Sequence, residues 1–138
     1  MTFDFNAQQE QILARLADAA TAAGLAVHPD EDVIDLTDIA EPVGVQIVFL
    51  DIVPVDQAGG SSLHHAQWAF DAYIDTTRAT TAQKTALASL FSAAMTRLIG
   101  WEISAGRFVR AEKVQRSGSE GRVRRRSFGF TIPVYLAA

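Results

Sequence analysis

A chain of 138 residues with 49% hydrophobic content suffices for one domain around one core, and it holds no cysteine, which excludes a disulfide framework, a thiol nucleophile and a cysteine metal site and suits a reducing, cytoplasmic setting. The net charge of −4 conceals a reversal: up to Asp75 there are 13 carboxylates against Arg15 alone, a net of −12, and from Thr76 onward 11 Lys and Arg against 3 carboxylates, a net of +8. Such halves repel themselves in a lone monomer unless they interleave in the fold, or unless one subunit's acidic face meets the next subunit's basic face, a head-to-tail arrangement that makes rings or filaments.

The start, Met1-Thr2-Phe3-Asp4-Phe5, lacks the basic flank and apolar run of a signal peptide. No stretch approaches the roughly 18 apolar residues of a membrane span, so a soluble protein with no membrane partner is expected. Asn6 is a fitting N-cap for a helix over 7–23, with Ile12, Leu13, Leu16, Ala19, Ala20 and Ala23 on one stripe and Gly24 as its stop. Leu25 to Glu41 is an acidic belt with room for one edge strand at most, since Pro29 and Pro42 limit its regularity. Val43 to Val55 is apolar on both alternating faces, Val45, Ile47, Phe49 and Val53 against Val48, Leu50 and Ile52, which predicts a central strand of the sheet.

After the polar connection over 56–62, Leu63 to Asp75 alternates cleanly. Ala66, Trp68, Phe70, Ala72 and Ile74 face one way and Gln67, Ala69, Asp71, Tyr73 and Asp75 the other, which predicts a half-buried strand. Thr80 followed by Gln83 is a capping box, after which Leu87, Leu90, Phe91, Ala94, Met95 and Leu98 fall at helical spacing until Gly100. Ala82, Ala86, Ser89, Ala93 and Thr96 leave the other side open to a close neighbour. Trp101 to Ile103 and Phe108 to Val114 predict a strand, 116–121 a hairpin tip, and Arg122 to Leu136 the return strand, with Phe128, Phe130, Ile132, Val134 and Leu136 on one face. The fold class is α+β: residues 1–138 form a single domain, a mostly antiparallel sheet of four to five strands packed with two helices.

The sharpest local feature is the basic hairpin Arg122, Arg124, Arg125 and Arg126, joined by Arg107, Arg110, Lys113 and Arg116 from the strand before it. It fits a phosphate backbone, a neighbouring subunit's carboxylates, or a solvated edge that keeps the sheet from aggregating. The acidic counterpart is Asp30, Glu31, Asp32, Asp35, Asp38 and Glu41; its spacing lacks the glycine and glutamate of an EF-hand, so an interface-facing or solvated surface is expected. His64 and His65 are adjacent, so a strand turns them to opposite faces, away from a shared metal ion. Ser61-Ser62 and Ser117 with Ser119 lie in no G-x-S-x-G elbow, and no phosphate loop or G-x-G-x-x-G occurs. No catalytic residue, metal or cofactor is therefore expected, and the chain does not read as an enzyme. Trp68, Phe70, Phe91 and Phe128 are expected in the core.

The order of elements, with the long strand Val43 to Val55, then Trp68-Ala69-Phe70-Asp71-Ala72-Tyr73-Ile74-Asp75, the capped helix to Leu98 and the closing Phe130-Thr131-Ile132-Pro133-Val134-Tyr135-Leu136, resembles the tail-terminator or tail-completion proteins of long-tailed phages, in particular the small ones of Mu-like phages and prophages. The resemblance covers nearly the whole chain and lies in size, order and texture rather than in a diagnostic motif. It implies a structural protein found in the host cytoplasm during assembly and then in the virion tail. The protein would form a ring of copies of itself, generally a hexamer, which caps the tail tube, ends polymerisation and meets the head-side connector, with DNA passing through the lumen. The basic hairpin would then face that DNA or a neighbour's acidic belt. Two other classes stay open on the residues alone: a small cytoplasmic ligand-binding or adaptor domain, and a small hydrolase with unrecognised acids.

Overall fold

The computed structural model describes residues 3–30, 39–56 and 61–137. Helix α1, Phe5–Ala23, begins at Asp4 rather than Asn6, because the Asp4 carboxylate accepts a hydrogen bond from the Ala7 N–H at 3.1 Å. It ends as expected at Gly24, whose left-handed φ of 70° a glycine adopts without strain. Strand β1, Val27–His28, is the edge strand in the described part of the acidic belt, and it lies parallel to the next strand at Val45 and Gln46.

Strands β2, Val43–Asp56, and β3, Ser61–Asp75, form a long antiparallel hairpin. The last strand, β8, Val123–Ala137, then pairs antiparallel along the whole of β3. Across the sheet the order is β1-β2-β3-β8-β6, so the central strand is β3 and not β2, whose outer neighbour is only two residues long. The expectation of a half-buried β3 is corrected for the same reason. Ala66, Trp68, Phe70 and Ala72 are buried on its helix side, and Ala69, Asp71, Tyr73 and Asp75 are buried on the other. Tyr73 lies flat across Gly44 of β2, where any Cβ would run into its ring. It also packs with Ile39 and Val123 in a second, smaller cluster.

The alternation of β2 breaks at Leu50. The register steps from Phe49 opposite Trp68 to Asp51 opposite Gln67, a bulge that turns Ile52 to the side of Phe49 and sends Val53 to the other face. Helix α2, Thr81–Leu98, carries the expected capping box on Thr80 and Gln83. Leu87, Leu90, Ala94 and Leu98 are buried, whereas Met95 of the expected stripe is 42% exposed. Both helices cover one face of the sheet and share one core, in which Ile12, Leu16, Leu90 and Leu98 meet Trp68, Phe70 and Phe130, with Phe91 and Phe128 packed against it.

The strand expected over 101–114 is broken into pieces. Strands β4, Glu102–Ser104, and β5, Arg107–Phe108, make a separate two-stranded sheet around Gly106, while β6, Arg110–Glu112, and β7, Gly118–Glu120, each pair with β8. The expected six-residue tip thus shrinks to a turn at Gly121, φ 57°. The result is α+β, mostly antiparallel with one parallel pair among the described residues, where its main sheet has six strands rather than four to five.

Candidate functional site

Of the eight basic residues singled out, the structure gathers two onto buried acids of the same chain. On the face of β3 away from the helices, Asp71 receives the guanidinium of Arg116 in a two-point contact, Nη2 to Oδ2 at 2.6 Å and Nε at 3.2 Å, and the hydroxyl of Ser127 at 2.6 Å. Segment 113–117 is held beside β8 by more than this pair. The Arg125 Nε donates to the Arg116 carbonyl at 2.7 Å, and the Ser127 N–H donates to the Ser117 hydroxyl at 3.0 Å. Gly129 permits the approach, because a Cβ there would strike the Val114 side chain and the Glu112 carbonyl.

Four residues further along β3, Asp75 ties four parts of the chain together. Its Oδ1 accepts from the Thr77 N–H and hydroxyl at 3.0 and 2.9 Å and from the Arg78 N–H at 3.2 Å, and its Oδ2 accepts from the Arg122 Nε at 2.8 Å. The Arg78 guanidinium turns on to the carbonyls of Ile39 and Ala40, and the Asp75 N–H donates to the Pro42 carbonyl. The end of the acidic belt, the exit of β3, the approach to α2 and the basic hairpin therefore meet around Asp75, the belt through its backbone N–H and through Arg78. Burial raises the pKa of such a group; here the hydrogen bonds from Thr77, Arg78 and Arg122 outweigh it and bring Asp75 down to about 2. Hydrogen bonding to Asp71, with the nearby charge of Asp30, pushes the basic Arg116 higher still.

The other predicted basic residues are dispersed. Arg107 lies over the Tyr135 ring at 4.6 Å, a cation–π contact. Arg110 projects from edge strand β6, and Lys113 follows it. Arg124 and Arg126, opposite Ile74 and Ala72, point to the helix side of β8 and are exposed, with no ion pair among the described residues. Of the acidic candidates, Asp30 accepts from the Phe49 N–H at 2.9 Å and caps the β1 edge of β2, and Glu41 is exposed. Glu31, Asp32, Asp35 and Asp38 lie outside the described residues. His64 and His65 do face opposite sides, and no cluster of three or more metal-ligating side chains forms among the described residues.

The sequence pattern missed the acids that organise this site. Asp71 and Asp75 sit on the face taken as the polar one, yet they are separated only by Tyr73 and preceded by Ala69, an apolar setting that was a signal of burial. It also missed an exposed apolar corner formed by Val55, Phe108 and Tyr135.

No protein-family model matches the chain, and no curated protein matches it. The fold does have counterparts among solved structures. It is similar to a chain in the virion of a native gene transfer agent particle, with a TM-score of 0.61 and 18% identity over 93% of this chain and 94% of that one. A sheath/tube terminator of an extracellular contractile injection system, in its extended state, aligns with a TM-score of 0.43 and 13% identity over 92% and 56%. The architecture is one that a virion component adopts, over nearly its full length. Among the described residues no helix is long and apolar enough to cross a membrane.

Proposed function

We propose that this protein is a structural subunit of a phage-like tail, a terminator or completion protein whose copies close into a ring, generally of six, on the end of the tail tube. The ring stops tube growth and presents a surface to the head-side connector, with DNA passing through its lumen, and the subunit passes from the host cytoplasm into the virion tail. Kinship with the small Mu-like members, prophage copies included, belongs to the same proposal. The observation that carries it is the end-to-end match to a virion chain, joined to an element order that resembles tail terminators on sequence alone. In keeping with a structural role, both carboxylates buried in the sheet already hold arginines, so neither is a free acid or base for hydrolysis.

The test is capping. On tail tubes assembled without a terminator, added protein is expected to sit at one end of each tube and to narrow the length distribution in electron micrographs. Protein that never localises to tube ends and leaves lengths uneven overturns the proposal.

A further inference from the structure

Two surfaces at opposite ends of the sheet differ in shape and charge. At the far end of the β2–β3 hairpin, Val55, Leu63, Phe108, Pro133 and Tyr135 line an open cavity of about 320 Å³. Three of these five, Val55, Phe108 and Tyr135, are among the four large apolar side chains most exposed on the described surface. The rim is cationic: Arg110 lines the cavity, and the Arg107 guanidinium covers the Tyr135 ring. A lone monomer gains nothing from leaving such a patch in water.

At the other end, two grooves of about 570 and 500 Å³ share Gly24, Leu25 and Ala26. Leu13, Ala17 and Val27 continue the first, and Val43, Ala82 and Ala86 the second. Among the described residues no Lys or Arg lines either groove. Glu41 lines the second, and the exposed Asp18 lies on α1 between Ala17 and Thr21 of the first. The groove begins at Val43 and the aromatic corner ends at Val55, so at about 3.3 Å per strand residue they stand about 40 Å apart.

We propose that the aromatic corner around Tyr135 docks on the groove around Leu25 of a second copy of this chain, with Arg107 and Arg110 facing Asp18 and Glu41. Large rings and aliphatics fill a groove floored by small residues, and cations meet carboxylates around the edge. Because the two surfaces are different, each docked pair keeps one free corner and one free groove, the heterologous contact from which rings close. This rests on the ring reading above and names its contact surfaces.

The experiment is the solution mass of the full chain, by light scattering at low salt and high concentration, for the wild type, Arg110→Glu, Ala26→Arg and a mixture of the two variants. Both substitutions are at exposed positions, and unchanged melting temperatures establish that the variants fold. The wild type is expected to assemble and to lose mass as salt rises, and each variant alone to run as a monomer. The mixture is expected to regain at least twice the monomer mass, since the intact corner of one variant meets the intact groove of the other. Variants that assemble like the wild type, or a mixture that stays monomeric, overturn this interface and leave the ring reading standing. A wild type that is monomeric throughout overturns self-docking, while tube capping still decides the proposed function.

Discussion

A carboxylate taken out of water is unfavourable by several kcal/mol unless donors surround it, and β3 buries two of them four residues apart on one face. Neither is left short of donors. Asp71 has a two-point arginine and a hydroxyl, and Asp75 has two backbone N–H groups, a hydroxyl and an arginine. Their partners Arg116 and Arg122 lie 45 and 47 residues away in the chain, which is why alternation alone placed these acids on a wet face. The depressed pKa of Asp75 makes a signed prediction. Its contribution is complete above its ordinary value of 3.8 and is lost as pH falls toward about 2. The melting temperature of Asp75→Asn is therefore expected to lie furthest below that of the wild type above about pH 4, and the gap to narrow steadily on acidification; a gap independent of pH across that window contradicts the assignment.

The elements legible in the sequence were those whose signals are local. Gly24 and the Thr80–Gln83 box end and begin their helices where the residues indicate, because a cap is decided within four residues. In that box the Thr80 hydroxyl accepts from the Gln83 N–H at 3.1 Å and the Gln83 side chain accepts from the Thr80 N–H at 2.8 Å. Thr80→Ala removes the first bond and loosens the second, so unfolding in urea should show a loss of about 1 kcal/mol with an unchanged m-value. What escaped the residue pattern was non-local. The choice of β3 over β2 as the central strand depends on how short β1 is. The bulge at Leu50 shows in no local motif, and the gap between β6 and β7 coincides with Arg116 reaching across β8 to Asp71. For the candidate site, the basic hairpin was legible as a patch of charge, but its division into two arginines bound within the chain and others left exposed was not.

Across the whole molecule the charge reversal is resolved in part by interleaving: the acidic half supplies Asp71 and Asp75, and the basic half supplies Arg78, Arg116 and Arg122. One core joins both helices to the sheet, with Trp68 fully buried at its centre and its indole N–H donating to Gln8 of α1 at 2.7 Å. Helix loss and exposure of Trp68 should thus be one event, and in a Trp101→Phe variant, where Trp68 alone fluoresces, far-ultraviolet dichroism and tryptophan fluorescence are expected to give coincident melting curves; separated midpoints would mean that the helix layer comes away first. The same arrangement bears on how the chain is made. Strand β3 is complete at Asp75, yet its second partner is not complete until Ala137. At roughly 5–20 residues per second a ribosome needs several seconds to deliver those last residues. Through that interval the newborn chain holds out an apolar strand with one edge unpaired, so the hazard of mispairing with a neighbour on the same messenger falls on the unfinished protein, and the arrival of β8 ends it.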